Sequence, residues 1–397
     1  MMTPTSAMRS FLSGSWLENE LDGSIRNLAG TESTPVSKTK ATDGGGASEG
    51  AAADEKASAN ITPAEALNAV VAEGEAILAD MHSAAMVHPY HFDRFLNNMD
   101  QNRIPWLYCY DHSRVVVPNG DGGGDYYNAS FVDGYNKKSA YIFAQAPFNE
   151  ATERVFWRMV LDQKPSMILV FGAIDEKQQR KQAYSIADKG FEKAFIQEFG
   201  VAKLDECEAN AKINRMFWPA KGANQEYGKI TISTTDEHSE THMKTYNLKV
   251  KGDEEPRQAV LMHFDEWGAN PADVLPEYLL DMRASIKVQF IRSSKKPGAF
   301  TGPILLVSAT GVSKCSNYAA IDIIVSRMTE EHTVGFKETM SAIKCQRFGC
   351  FRSTEPYQKS REMLMKFAVS TGVVHDAAIG DKPNSKAGKA QTPKEKK

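Results

Sequence analysis

The sequence predicts an α/β domain over residues 62–373, flanked by two segments that cannot form a core. Short apolar runs of strand length alternate with longer segments of helical spacing, and no unit repeats every 20–50 residues. The hydrophobic share of 42% and the charged share of 24% are typical of a soluble globular protein. No linker-like stretch interrupts residues 62–373, so we expect one domain there.

The first predicted element is a helix that begins near Thr62. Thr62 and Glu65 have the spacing of a capping box, and Pro63 occupies the first helical position. Apolar residues then follow at helical spacing from Leu67 to Met81.

The strands and the later helices are predicted from periodicity. Runs rich in β-branched and aromatic residues predict strands at 127–132, 167–171, 245–250, 259–264 and 304–307. Helical spacing returns at 317–328 and at 361–367, where Met363, Leu364 and Phe367 are candidate core residues.

The two ends differ from the domain in composition. Residues 1–61 are predicted to be disordered, because no aromatic residue lies between Trp16 and Asn60 and little apolar surface is available to offset the ordering entropy. Residues 374–397 are rich in Lys, with Pro and Ser, and predict a solvated, disordered tail.

Charge and cysteine content exclude several classes of protein. The 47 basic and 50 acidic residues give a net charge of -3, which argues against a broadly basic nucleic-acid binder. No apolar run reaches the ~18 residues that cross a bilayer, and the first residues lack a signal-peptide pattern. Five cysteines do not form a disulfide framework, so we expect a cytoplasmic protein without a membrane span.

One loop has the arrangement of an anion site. The run at 304–307 ends at Ser308, small residues follow to Gly311, and a predicted helix comes next. Loop N–H groups and the helix dipole converge on one point in such a joint. Most joints of this kind bind nothing, so the neighbouring segments decide whether the pattern has a function.

Seven segments in order resemble motifs of the phosphotyrosine-specific protein tyrosine phosphatase family, over nearly all of residues 85–370. They are NR at 102–103 with YDHSRV at 110–115, DYYNASFVDGY at 125–135, AQAP at 144–147, FWRMV at 156–160, FWP at 217–219, HFDEW at 263–267, and QRFG at 346–349 with Tyr357. The resemblance implies a twisted mixed β-sheet flanked by helices on both sides.

The family signature H-C-x5-R is altered at each of its named positions. Aligned through Gly311, Ser308 stands at the nucleophilic cysteine and Lys314 at the phosphate-gripping arginine, while Val307 replaces the histidine. A cysteine ionises near neutral pH in such a site, whereas a serine needs a dedicated base. Lysine keeps the charge of arginine but lacks its planar fork.

The remaining catalytic positions of the family are altered as well. Ala269 stands where the family has its general acid, and Arg352 where it has the glutamine that orients water. The nearby carboxylates Asp265, Glu266 and Asp273 are displaced from the position of the acid. No cysteine has an arginine six positions later, so C-x5-R is absent from the chain.

We therefore predict a pseudophosphatase, a catalytically inactive domain that binds or scaffolds phosphorylated (phosphotyrosine) proteins or another component of a protein kinase pathway. No cofactor, metal or nucleic acid is expected. Residues 308–314 are called the cradle below. The expected phosphate-binding residues are Ser308, Ala309, Thr310, Gly311, Val312, Ser313 and Lys314 of the cradle, together with Arg352.

Two alternatives stay open from the sequence. The first is a scaffold that binds no phosphate, because Ile104 and Trp106 make the rim of the pocket more apolar. The second is an active phosphatase with an unorthodox site. It would need a base for Ser308, a fork-like role for Lys314 and a carboxylate in place of Ala269.

Overall fold

The computed structural model describes residues 90–104, 106–118, 124–175, 211–240, 243–265, 267, 276–295, 299–331, 335–351, 364 and 367. The helix predicted from Thr62 and both predicted disordered ends lie outside the described residues, so those expectations stay predictions.

Nine strands form one mixed sheet in the order β1-β2-β3-β9-β4-β8-β7-β6-β5. The strands are β1 (Arg114–Val116), β2 (Tyr126–Val132), β3 (Tyr141–Gln145), β4 (Pro165–Phe171), β5 (Asn224–Tyr227), β6 (Ile230–Glu240), β7 (Met243–Lys251), β8 (Arg257–Phe264) and β9 (Gly302–Ser308). The four central strands β3, β9, β4 and β8 run parallel, and the pairs on both flanks are antiparallel.

Five α-helices accompany the sheet in the described part of the chain. They are α1 (Asp93–Leu96), α2 (Glu150–Gln163), α3 (Pro276–Ser294), α4 (Ser313–Glu331) and α5 (Phe336–Gln346), with a short 3-10 helix at Met99–Gln101. Asn149 caps α2, since its side chain accepts from the Thr152 N–H and the Thr152 hydroxyl bonds back to the Asn149 N–H.

The sheet separates two apolar cores because successive strand side chains point to opposite faces. Tyr141 and Phe143 of β3 belong to the core that contains α4, whereas Ile142 and Ala144 belong to the core that contains α2. Residues of α3 and α5 share the α4-side core. The predicted mixed sheet with helices on both sides is therefore confirmed.

The predicted strands and helix in the described residues are confirmed with shifted ends. Strand β2 begins one residue before the predicted 127–132, and β9 extends the predicted 304–307 at both ends. Helix α4 contains the predicted 317–328 but begins earlier, at Ser313. Leu364 is buried and Phe367 half-buried, both with helical backbone, whereas Met363 lies outside the described residues.

Candidate functional site

The cradle lies where the parallel strands end. Ser308 is the last residue of β9 and pairs with Gln145 of β3 on one side and Phe171 of β4 on the other. Carboxyl ends of parallel strands meet at one edge of a sheet, which is the usual place for a site in an α/β fold. Helix α4 then begins inside the cradle at Ser313, so its N-terminus faces the same edge.

Gly311 gives the cradle its turn. Its φ of +69° lies in the left-handed region, where a side chain is unfavourable. A Cβ at this position would stand 2.4 Å from the Ala144 carbonyl carbon and 2.6 Å from the Gln145 nitrogen. The cradle therefore packs directly on the backbone of β3, and only glycine fits there.

The side-chain oxygen of Ser308 accepts two hydrogen bonds. The Gly311 N–H donates to Ser308 Oγ at 3.0 Å, and the Cys315 thiol donates to the same oxygen at 3.6 Å. Ser308 is 2% exposed. In the described part of the chain, both of these groups donate to Ser308 Oγ, and neither accepts its hydroxyl proton.

Lys314 is nearly buried, and its side chain runs along the end of β4. Its Nζ lies 2.9 Å from the point where a Cβ on Gly172 would stand, and Trp267 O lies 3.8 Å from that point. Gly172 has a φ of +111°. The ammonium group therefore lies beside the β4 end and the Trp267 backbone.

Arg347 stabilises the cradle through hydrogen bonds to its carbonyl oxygens. This residue follows α5 directly and is 0% exposed. Its guanidinium donates to the carbonyl oxygens of Gly311 (3.1 Å) and Thr310 (3.2 Å), and to Ser130 Oγ (3.2 Å). The sequence assigned Arg347 only to a structural motif.

Gln145 links the 101–103 segment to the cradle strand. Its Nε2 donates to Gln101 O at 2.6 Å and its Oε1 accepts from the Arg103 N–H at 3.1 Å. The next residue, Ala146, donates its N–H to Ser308 O at 2.7 Å. The end of β3 and the residue after it therefore contact both the 101–103 segment and the last residue of β9.

The rim residues Ile104 and Trp106 are packed inward. Trp106 is 1% exposed and belongs to the α4-side core, together with Val312 and Cys315 at the cradle. Ile104 is half-buried and packs against the same core. Both rim residues therefore contribute to the core on the α4 side of the sheet.

His263 forms a hydrogen bond to the backbone after β4, and Asp265 forms an ion pair at the surface. His263 Nε2 donates to the Gly172 carbonyl at 2.9 Å, and burial lowers the pKa of this histidine. Asp265 Oδ2 lies 3.6 Å from Lys244 Nζ at the surface. Trp267 is fully buried, with its ring 5.0 Å from that of Phe171.

Several predicted site residues lie outside the described part of the chain. They are Ala269, Arg352, Glu266 and Asp273. Ser308 to Lys314 therefore form the connection from the end of β9 into the start of α4, and the expected phosphate binding by Arg352 stays a prediction.

The described residues contain neither a cluster for a metal ion nor a helix that could span a membrane. No group of three or more His, Cys, Asp or Glu side chains there could hold a metal ion. Within the same residues, no helix has the length and apolar character needed to cross a membrane.

Comparison with known proteins identifies one family. The sequence model described as protein-tyrosine phosphatase matches residues 98–215 and 201–366. The receptor-type tyrosine-protein phosphatase F of Bos taurus is 28% identical over 277 residues, which cover 68% of this chain and 12% of that protein. The receptor-type tyrosine-protein phosphatase S of Gallus gallus is 28% identical over 279 residues, with 69% and 16% covered.

A non-receptor relative gives a longer match. The tyrosine-protein phosphatase non-receptor type 9 of Homo sapiens is 25% identical over 306 residues, which cover 74% of this chain and 46% of that protein. The chain therefore spans less than half the length of each of these relatives.

Proposed function

The chain belongs to the protein-tyrosine phosphatase family, and from this premise we propose that it is a catalytically inactive member that binds phosphorylated proteins at its cradle. The carrying observation is the surrounding of Ser308 Oγ, which accepts from the Gly311 N–H and the Cys315 thiol. A serine hydroxyl whose partners in the described part of the chain are two donors is a poor nucleophile near neutral pH.

Binding is supported by the parts of the cradle that remain. The N–H groups of residues 308–314 and the start of the 19-residue helix α4 lie at the carboxyl edge of the sheet, an arrangement that favours an anion. Lys314 keeps a positive charge in the cradle but has no planar fork for two phosphoryl oxygens. These features favour binding of a phosphate group without its transfer.

The proposed partner is a phosphorylated protein of a protein kinase pathway, and the proposed compartment is the cytoplasm. Cys109, Cys315 and Cys350 are buried free thiols, and Cys345 is an exposed free thiol. Free thiols are typical of a reducing compartment. A phosphotyrosine peptide combines an anion with an aromatic ring, which makes it a suitable probe for the cradle and its rim.

The test is a turnover assay and a binding titration on the same protein, with a phosphotyrosine peptide and with inorganic phosphate. We expect saturable binding and no release of phosphate above the buffer rate. Ser308→Ala should leave that rate unchanged, as should the control Ser294→Ala at an exposed hydroxyl at the end of α3. Turnover that Ser308→Ala abolishes and Ser294→Ala preserves would show an active phosphatase.

A second candidate function is a scaffold that binds no phosphate. The observation that favours it is Trp106, which is 1% exposed and packs in the same core as Val312. A covered cradle would leave other surfaces to bind partners. The same titration separates the two functions, since the scaffold predicts no saturable binding of either probe.

A further inference from the structure

Strand β6 is longer than the strand that covers it at the edge of the sheet. Its residues 230–233 pair with β5, and the Thr234 N–H and C=O bond the backbone just before β5, at Ala223 and Gly222. In the part of the chain that the structure describes, no strand pairs with residues 235–240 on that side. Their outer edge therefore offers backbone N–H and C=O groups to another strand.

This edge is accessible and regular. The side chains of Asp236, His238 and Glu240 are 58%, 71% and 54% exposed. A β-bulge lies between Thr234 and Asp236, and beyond it residues 236–240 pair with β7 in unbroken register. A stretch of this length is within the usual range of a strand, so it can form a ladder with an added one.

Acidic side chains lie on both faces of this segment. Side chains of a strand alternate between the two faces, so Asp236 and Glu240 share one face and Glu237 lies on the other. Lys221 offsets one of these charges, at 2.7 Å from Asp236, and no Lys or Arg lies within 235–240 itself. A strand with basic residues on both faces is complementary to this edge, whereas an acidic strand is repelled.

We propose that residues 235–240 of β6 are a docking edge for an extended, lysine- or arginine-rich segment of a partner protein, which adds to the sheet as a further strand. Backbone hydrogen bonds supply the pairing, and the basic side chains supply the selectivity. Like charges protect the edges of natural sheets from pairing with each other. Here the same charges repel a second copy of β6 and attract a basic segment.

The docking edge is separate from the cradle. Strands β4, β8 and β7 lie between β9, which ends at the cradle, and β6. Binding of a basic segment at this edge is therefore independent of phosphate binding at the cradle, and the two can be tested apart.

The experiment titrates the full chain with a short blocked peptide of Thr-Lys-Lys-Thr repeats, which carries lysines on both faces when extended. One comparison peptide has Glu in place of Lys, and another keeps the lysines but is N-methylated at every Thr, so that it cannot donate along either edge. The lysine peptide should bind saturably and slow hydrogen exchange at amides within 235–240. Both comparison peptides should bind at least about tenfold more weakly.

A pair of matched variants tests the position of the docking edge. Glu240→Lys replaces an attraction by a repulsion and should weaken binding of the lysine peptide about fivefold. Glu254→Lys makes the same change between β7 and β8, at the other end of β7, where the side chain is 71% exposed. It should leave the affinity within about twofold, because salt screens charges over the length of β7.

The outcomes separate strand addition from attraction by charge alone. Equal affinities of the lysine peptide and its N-methylated form, or equal losses in Glu240→Lys and Glu254→Lys, would overturn the proposal. So would the absence of binding, or a glutamate peptide that binds as tightly. Self-association of the protein with 235–240 already protected from exchange would identify a second copy as the occupant instead. None of these results bears on the cradle, since the titration contains no phosphate.

Discussion

Gly311 decides at a single residue whether the cradle can form. Two effects oppose a side chain there: the φ of +69°, and the β3 backbone, which lies 2.4 Å from where a Cβ would stand. Gly124 has a similar φ of +78°, but an added Cβ would meet nothing within 4 Å. Comparing substitutions at the two glycines therefore separates the energetic cost of backbone strain from the cost of steric exclusion.

We expect Gly124→Ala to lower the free energy of unfolding by about 1 kcal/mol, the cost of φ strain alone. Gly311→Ala should lower it by about 3 kcal/mol or more, because the β3 backbone must also move. Denaturant titration of both variants measures the difference. Equal losses would contradict the close packing of the cradle on β3.

The sequence predicted which residues form the cradle, but not where the side chains around it point. The alignment through Gly311 placed Ser308 and Lys314 at the two ends of the cradle. It did not show that Lys314 runs along Gly172, or that Arg347 bonds the cradle carbonyls. Both depend on contacts between segments that are far apart in the chain, which no local pattern encodes.

At the scale of elements, Asp322 joins two helices to the sheet. Its buried carboxylate on α4 accepts from Tyr141 Oη of β3 at 2.6 Å and from Arg283 Nε of α3 at 2.8 Å. Lys287 Nζ of α3 lies 3.1 Å away. Burial opposes ionisation, but Lys287 and Arg283 outweigh it and hold the pKa of Asp322 well below its usual range.

The lowered pKa predicts how stability depends on pH. A carboxyl whose folded pKa is depressed stabilises the protein above its unfolded pKa of about 4, and this stability is lost as pH falls toward the folded pKa. Asp322→Asn should therefore lower the free energy of unfolding by about 3 kcal/mol at pH 7, at the low end for a buried pair because Lys287 is 41% exposed.

Chemical denaturation from pH 7 to pH 2 measures this effect. The difference between the unmodified protein and Asp322→Asn should shrink below about pH 4, because the Asp322 carboxyl becomes protonated in the unfolded chain while it stays ionised in the folded protein. Asp236→Asn is the control, because its pair with Lys221 is exposed and should have no measurable effect. A difference that stays constant down to pH 2 would contradict the role of the ion pair.

Strands β4 and β6 differ in how clearly the sequence predicts them. Strand β4 is buried along nearly its whole length, and its apolar run was visible. Strand β6 was missed because it is exposed beyond Thr234 and carries Asp, Glu, His and Ser there. Pairing with β7, rather than local propensity, makes that segment a strand.

Helix α3 was missed for a related reason. Its residues 276–294 contain charged residues among the apolar ones, and part of its attachment is the buried ion pair with Asp322 on α4. Amphipathic spacing is the main signal of a helix in a sequence. An element held in part by a charge on a distant helix gives only a weak form of that signal.

At the scale of the whole molecule, the order of the strands prevents division of the domain. Strand β9, from the second half of the chain, lies between β3 and β4 from the first half. Both apolar cores contain residues from each half. Removing either half would open the centre of the sheet, so residues 98–366, which match the family, should unfold as one cooperative unit.

Limited proteolysis of the full chain tests this unity together with the predicted ends. We expect early cuts within residues 1–61 and 374–397, because segments without a core are accessible to a protease. The resistant fragment should contain 98–366 and unfold in a single transition, at a temperature within about 2 °C of the full chain, since ends that pack on nothing add no stability.

Mass spectrometry identifies the cuts and calorimetry the transition. An early cut between β3 and β4, or two separate transitions, would contradict a single domain. A fragment that unfolds well below the full chain would instead show that the ends pack on the domain.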